Sequence, residues 1–179
     1  MKKILLFVSL AVFVSGVFVF AGTNFQIAKN RQALTDIVIP ETPSVRVKQA
    51  AEDLADYLGK ISNCRFRVNS GDGKKGIAVG RFEDFPSLNF KEKPDPKDMT
   101  KRELYLLRSH KDGIYVIGAT DTAVEDAVWD LLYLLGYRQF FPPAKWEYIP
   151  KLENLSINID KVEQPDYYAR RIWYGYGSW

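Results

Sequence analysis

Two segments with the helical spacing of apolar residues constrain the fold of this chain more than any other feature of its sequence. Apolar residues recur three and four positions apart from Val47 to Ile61, and again from Val124 to Leu135. That spacing gathers them on one face of a helix. Because such a face must be buried against a second layer, each of the two helices needs a partner such as a β-sheet.

Short strand-like runs surround both helical segments. The run at 64–68 alternates apolar and charged residues, which is typical of a half-buried strand, and the run at 76–80 is apolar between glycines, which predicts a central strand. The order is strands, helix, strands, helix, strands. It predicts an α+β fold, with one mixed β-sheet of about six or seven strands and two main helices packed on it. The other predicted strands are 25–28, 35–39, 103–109, 114–118, 137–141 and 155–159.

Hydroxyl residues and glycines mark the predicted helix ends. Thr42, which stands before a proline, predicts the start of the first helix, and Gly59 predicts its end. Thr122, followed three positions later by a glutamate, resembles a capping box at the start of the second helix, which Gly136 should end.

Two connections stand out between the predicted strands. The hairpin joining 103–109 to 114–118 is predicted to turn at 110–113, where Asp112-Gly113 would supply a positive φ angle. Residues 81–101 contain three prolines and many charges, which predict an irregular loop. A loop of this length is either functional or an insertion, and we favour the insertion.

The charge and cysteine content exclude some classes of protein. The formal net charge is +3, and two of those charges are Lys2 and Lys3 of the leader, which leaves 3 − 2 = +1 for the rest. Because no basic block is present, a nucleic-acid partner is not expected. Cys64 is the single cysteine, so no internal disulfide can form, and we expect its side chain to be a small buried apolar group.

Residues 1–21 have the pattern of a secretory signal peptide. Two lysines precede an apolar run at 4–20, and modest side chains before Ala21 predict cleavage after that residue. The chain is therefore expected to be exported, to the periplasm or the extracellular space. An uncleaved anchor is the alternative, since about 17 apolar residues are the lower limit for a membrane span. No later segment is long and apolar enough to cross a membrane, so no membrane contact is expected after cleavage.

Three patterns resemble functional sites but have the wrong context. The glycine pattern at 71–76 matches a dinucleotide fingerprint, yet a strand follows it instead of a helix, so it predicts a turn. His110 is the only histidine, which excludes a histidine-rich zinc site and makes a catalytic triad improbable. The acidic pairs at 52–53 and 125–126 are adjacent on helices and do not face each other. No catalytic residue, cofactor site or metal site is predicted in this chain.

The C-terminal segment is rich in aromatic rings and arginines. Rings and guanidinium groups suit the faces of sugars and carboxylates, so Arg171, Trp173 and Tyr174 are candidate substrate-binding residues. The same run is typical of a core strand whose partners lie in a part of the protein beyond Trp179, and we expect a truncation there. The two interpretations are compatible.

Six segments, in this order along the chain, resemble the N-terminal domain of family 67 α-glucuronidases. Similar domains precede the barrel of β-N-acetylhexosaminidases and related secreted glycoside hydrolases. The likeness covers about residues 25–172, although the second helix lacks the glycine-rich start of the family and the loop at 81–101 has no counterpart. The segments are 50–61 (AAEDLADYLGKI), 76–80 (GIAVG), 112–119 (DGIYVIGA), 127–142 (AVWDLLYLLGYRQFFP), 146–150 (WEYIP) and 164–171 (QPDYYARR).

The resemblance implies a glycoside hydrolase accessory domain, of zincin-like arrangement without a metal site, packed on a catalytic (β/α)8 barrel. The carbohydrate partner and the acid and base carboxylates would belong to that barrel, so no catalytic residue is carried over. The implied organisation is a signal peptide at 1–21, the α+β domain at 22–162, and the start of a truncated barrel or a linker at 163–179. Two alternatives remain: a free-standing carbohydrate-binding module that uses the C-terminal aromatic residues, and a docking domain for another chain.

Overall fold

A computed structural model of the chain describes residues 23–92, 94–95, 97–142 and 144–165. Within these ranges the chain forms two α-helices, eleven short strands and two single 3-10 turns, at Met99–Lys101 and Ala144–Trp146. The helices and strands are β1 (Phe25–Lys29), β2 (Gln32–Ala33), β3 (Ile37–Ile39), α1 (Val45–Ser62), β4 (Val68–Ser70), β5 (Gly76–Arg81), β6 (Tyr105–His110), β7 (Gly113–Gly118), α2 (Asp121–Leu134), β8 (Arg138–Gln139), β9 (Glu147–Tyr148), β10 (Leu155–Ile157) and β11 (Asp160–Glu163).

The main sheet has six strands in the order β11-β6-β7-β5-β3-β4. Strands β4, β3, β5 and β7 are parallel, whereas β6 is antiparallel to both of its neighbours. The predicted α+β class, with a mixed sheet of about six strands and two helices, is therefore confirmed. The predicted strands at 25–28 and 155–159 correspond to β1 and β10, which form a separate three-stranded sheet with β2. The predicted strand at 137–141 corresponds to β8, which pairs only with β9.

Both helices pack on one face of the main sheet. Their apolar residues are buried together with Ile77 and Val79 of β5 and Ile114 and Val116 of β7. The three-stranded sheet joins the same core through residues such as Ile27. The periodicity at 47–61 and 124–135 thus predicted the buried faces correctly, with Ala55 only partly buried.

The opposite face of the main sheet is covered by part of the loop at 81–101. Phe85, Leu88 and Phe90 are buried against three sheet residues, which are Ala78, Leu106 and Ile117. The segment is irregular, as predicted, apart from the 3-10 turn at Met99–Lys101. It is nevertheless part of the core, because it shields apolar side chains of β5, β6 and β7 from water.

The ends of α1 differ from the expected residues. Ser44 is the N-cap, and its Oγ accepts a hydrogen bond from the amide of Val47 at 3.1 Å, so Thr42 lies before the cap. The helix passes through Gly59 and ends at Asn63, which adopts a left-handed conformation with φ 54°. A Cβ on Gly59 would lie 2.9 Å from the carbonyl oxygen of Cys64, so this glycine makes room for the chain that leaves the helix.

The N-cap of helix α2 lies two residues before the predicted cap at Thr122. The hydroxyl of Thr120 accepts a hydrogen bond from the amide of Ala123 at 3.3 Å, and Thr122 instead accepts one from Arg46 at 2.7 Å. The predicted end at Gly136 is confirmed, since Gly136 has φ 98° and its amide donates to the carbonyl of Tyr133.

Two predicted strands change markedly in extent, and one strand was missed. The run at 64–68 is a connection, and strand β4 starts only at its last residue. The run at 137–141 shortens to the two residues of β8. Strand β11 was missed because its sequence, DKVE, has little apolar content. It is held by its pairing with β6 and by Lys161, whose Nζ lies 2.8 Å from Asp130 of α2.

Two local features complete the fold. Cys64 is half-buried rather than fully buried, and its Sγ lies 3.1 Å from Oγ of Ser62. Among the residues that the structure describes, no helix combines the length and apolar character that a membrane span requires.

Gly113 has a different role from the one that the hairpin motif predicts. Its φ is not positive, so the Asp-Gly pair does not form the expected turn. Strand β6 ends at His110, which pairs directly with Gly113, so the turn has two residues. A Cβ on Gly113 would lie 2.0 Å from the carbonyl oxygen of Gly76. The glycine is therefore required by the close approach of β5 and β7.

Replacing Gly113 with alanine should destabilise the fold by about 3 kcal/mol, because the added methyl group overlaps backbone atoms that cannot move independently. Gly71→Ala is the matched control, since its nearest contact is a methyl group of Val38 at 3.0 Å, and it should cost less than about 1 kcal/mol. Urea unfolding of both variants measures the difference. Equal losses would contradict the close-approach explanation.

Candidate functional site

A cleft of about 890 Å³ opens at the edge of the main sheet where β5 and β7 end. We call it the carboxyl-edge cleft. One wall begins at Arg81, the last residue of β5, and the other consists of residues 119–122, which follow β7 and start α2. Residues 94–95, 98–99 and 101–102 complete the lining. Adjacent parallel strands send their loops out at the same edge of a sheet, so the topology itself creates this opening.

Arg81 is the charged group around which the carboxyl-edge cleft is built. Its Nη2 donates to Oδ1 of Asp84 at 2.8 Å, and its backbone amide donates to Oδ2 of the same side chain at 2.8 Å. Asp84 is only 8% exposed. Glu83 lies 2.6 Å from Nη1 on the solvent side. The hydrogen bond that the Arg81 guanidinium donates to Asp84 is the main reason that the pKa of this guanidinium is raised, so the group is a fixed positive charge.

Asp121 lies in the first turn of α2, where the positive end of the helix dipole favours a carboxylate. Its Oδ1 atom is buried and has no hydrogen-bond partner among the described residues. The Nε of Arg81 is 3.6 Å away, which is a favourable charge contact but too long for a hydrogen bond. One acceptor atom on the wall of the cleft is therefore unsatisfied.

Residues 98–102, on the side of the cleft formed by the loop, are held by local hydrogen bonds and by one to the start of α2. Asp98 caps the 3-10 turn by accepting hydrogen bonds from the hydroxyl and the amide of Thr100, which lower the pKa of its carboxyl group. The hydroxyl of Thr120 donates to the carbonyl of Arg102 at 2.8 Å. The side chain of Arg102 is exposed and forms no ion pair within the described ranges.

A second set of contacts holds the first half of the loop at 81–101 against the sheet. Arg108 of β6 donates to Glu92 at 2.8 Å and to Asp160 at 2.7 Å. The hydrogen bond from Arg108 is the main reason that the pKa of Glu92 is lowered. Phe90 packs edge-on against Tyr115 with ring centroids 5.3 Å apart. The loop is thus fixed just before it reaches the cleft.

Among the described residues, those that the sequence singled out as possible site residues lie away from this cleft. Arg171, Trp173 and Tyr174 are outside the described residues. His110 is at the end of β6, stacked on Tyr115 at 4.2 Å, and burial lowers the pKa of its imidazole. The glycine pattern at 71–76 forms bends that lead into β5, as predicted. In the ranges described above, no cluster of three His, Cys, Asp or Glu side chains is placed to hold a metal ion.

Sequence reasoning missed Arg81, Arg102 and Asp121. A signal for two of them was present, because Arg81 directly follows the predicted central strand and Asp121 closely follows the strand of the hairpin. Polar residues at the carboxyl ends of parallel strands are a common location for ligand sites. The parallel pairing of these two strands was not predicted, so the two residues were not connected.

The fold is similar to part of a much longer solved protein. That structure is described as a novel family GH115 4-O-methyl-alpha-glucuronidase with specificity for decorated arabinogalactans. The match has a TM-score of 0.56 and 15% sequence identity, and it covers 78% of this chain but only 18% of the other. It shows a shared fold, of a kind found within a glycoside hydrolase. No protein-family profile and no curated protein sequence matches the chain. The finer likeness to family 67 and to hexosaminidases remains a prediction.

Removing the charge of Glu92 should loosen the loop that borders the cleft. Glu92→Gln should cost about 1 kcal/mol at neutral pH, because Arg108 loses a charge-assisted partner in a site where both side chains are less than a third exposed. The folded-state pKa of Glu92 lies below its ordinary value of 4.5, so its contribution is present above that pH and is lost as the pH falls through the folded-state pKa.

The measurement is the free energy of unfolding of wild type and variant between pH 7 and pH 3. Their difference should shrink toward zero at the acid end. Glu83→Gln is the control, because this carboxylate pairs with Arg81 but is 68% exposed, and its loss should cost no more than about 0.5 kcal/mol. A difference that is independent of pH would contradict an electrostatic role for Glu92.

Proposed function

We propose that this chain is the non-catalytic N-terminal domain of an exported glycoside hydrolase of α-glucuronidase type, followed in the same polypeptide by a catalytic barrel. The observation that carries the proposal is the fold likeness to a stretch that makes up 18% of a family GH115 glucuronidase. The ordered series of sequence segments that resemble a glucuronidase accessory domain supports it independently of the fold.

The acidic side chains of the domain support placing the chemistry elsewhere. Glycoside hydrolysis in most families needs two carboxyl groups, one of them with a raised pKa so that it can act as a general acid. The hydrogen bonds around Asp72, Glu92 and Asp98 lower the pKa of these three groups, which is the opposite direction. We therefore assign the acid and the base to the barrel.

An exposed aromatic surface supports packing against a further domain. Phe140, Phe141, Trp146 and Tyr148 lie in or next to the β8–β9 ribbon and are between 47% and 65% exposed. Neighbouring apolar groups of this size in water usually mark an interaction surface. In the proposal, the barrel of the same polypeptide covers this aromatic ribbon.

The reading frame should continue past the codon for Trp179 for about 250 residues or more, the length of a barrel. The full-length protein should hydrolyse a glycosidic bond, and replacing one of two carboxylates on the barrel should abolish activity. A matched carboxylate variant in this domain, such as Glu52→Gln, should leave the activity unchanged. A stop codon directly after Trp179 in the intact gene would refute the proposal.

Export predicts a specific mature N-terminus. When the chain is produced in a bacterial host, the protein released from the cytoplasm should begin at Gly22, because the apolar run and Ala21 form a signal-peptidase site. N-terminal sequencing or intact mass measures this. Ala21→Lys should block processing and leave the protein at the membrane. Wild-type protein that keeps Met1 in the membrane fraction would show an uncleaved anchor instead.

A further inference from the structure

We propose that the carboxyl-edge cleft binds a short neutral oligosaccharide. This inference goes beyond the proposed function, because it gives the accessory domain a ligand of its own that the barrel does not supply. It rests on the charge, the free hydrogen-bonding groups and the apolar surface of the cleft, together with the way in which its walls are held.

The charge of the lining argues against an anionic ligand. Arg81, Lys101 and Arg102 face four carboxylates, which gives a formal charge of 3 − 4 = −1. The positive charges of Arg81 and Lys101 are already partnered, by Asp84 at 2.8 Å and by Asp98 at 3.6 Å. A phosphate or a polyanionic sugar would add negative charge to a lining that is already net negative, which costs free energy in a partly enclosed site.

The remaining polar groups suit hydroxyl groups. The carboxylate of Asp121 lines the cleft on a side chain that is 33% exposed, and its Oδ1 has no hydrogen bond within the described chain. The guanidinium of Arg102 supplies donors that no carboxylate in the described chain occupies. Each sugar hydroxyl donates one hydrogen bond and accepts others, so one ligand can satisfy both groups. A ligand hydroxyl that donates to the Asp121 carboxylate would add a hydrogen bond that the described chain leaves unmade, which favours binding.

The apolar part of the lining offers a surface for the C–H face of a sugar ring. Phe82 lines the cleft and is held edge-on by Phe90, with ring centroids 5.4 Å apart. Met99, which is 45% exposed, and Pro86 lie on the same lining. Ligand sites typically combine such surfaces with a few placed polar groups in a volume of about 300–1,000 Å³, and this cleft has about 890 Å³.

The walls are fixed before any ligand arrives. Thr120 bonds to the carbonyl of Arg102, and the ion pair of Glu92 with Arg108 anchors the loop on the sheet. A preformed site loses little conformational entropy on binding, which is the condition under which weak polar contacts give measurable affinity.

Calorimetric titration of the full chain with a panel of neutral oligosaccharides, two to six units long and built of xylose, arabinose, galactose or glucose, tests the proposal. At least one should bind, and glucuronic acid and inorganic phosphate should bind at least tenfold more weakly. Arg102→Ala and Asp121→Asn should each weaken binding by tenfold or more. Arg65→Ala and Asp53→Asn, which change an exposed and a half-buried side chain away from the cleft, should leave the affinity within twofold.

Three results would overturn the proposal. The first is no binding of any neutral oligosaccharide at millimolar concentration by chain whose thermal unfolding shows it to be folded. The second is preferential binding of glucuronic acid or phosphate. The third is unchanged affinity in both cleft variants. Because the side chain of Arg102 has no ion-pair partner among the described residues, and its backbone carbonyl is kept in the variant, Arg102→Ala should keep the wild-type Tm, which separates lost binding from lost folding. Binding by a chain with a natural stop after Trp179 would support the cleft while refuting the barrel.

Discussion

Burial of the β5–β7 pair on both faces is the constraint on which the rest of the structure depends. These two parallel strands lie in the middle of the main sheet, and Ile77, Ala78, Val79, Val116 and Ile117 are fully buried. A strand buried on both sides needs two covering layers. The helices supply one, and the phenylalanines of the loop at 81–101 supply the other. Gly76 and Gly113 allow the two strands to approach at the end where they start.

The carboxyl-edge cleft follows from this arrangement. The loop leaves β5 at Arg81, crosses the sheet to bury Phe85 and Phe90, and must return to the same edge to start β6. Its returning half therefore faces the first turn of α2 across a gap instead of packing on the sheet. Gly118 brings that turn close, since a Cβ there would lie 2.4 Å from the amide of Val124. The space between the two segments has polar groups in its lining because both segments are connections at the edge of the core, where side chains stay in contact with water.

The elements predicted correctly are those whose sequence signal lies within a few neighbouring residues. The buried faces of both helices, the strand at 76–80 and the glycine that ends α2 all depend on residues within one or two turns. The cap of α2 was placed at Thr122 because Glu125 follows it three positions later, whereas the observed cap is Thr120, where the start of the helix packs closely on Gly118. The charged strand β11 has no signal in its own sequence, since its position is set by its partner β6. The candidate site was least predictable. Arg81 and Asp121 are 121 − 81 = 40 positions apart, and they meet only because β5 and β7 pair in parallel.

The two faces of the sheet also differ in their electrostatics. The core on the helical face is apolar, with Lys161 and Asp130 paired beside it, whereas the loop face carries His110, Arg108 and Glu92 beside the aromatic cluster. Burial holds the pKa of His110 below its ordinary value of 6.5, so the folded state binds fewer protons there than the unfolded chain, and stability decreases as the pH falls below that value. The lowered pKa of Glu92 adds a second loss only at more acidic pH, below its ordinary 4.5. Both shifts therefore weaken interactions in the loop layer as the pH falls, first at His110 and at lower pH at Glu92. A ligand that bridges the loop and α2 would oppose that loss, because binding to the folded state alone stabilises it by mass action.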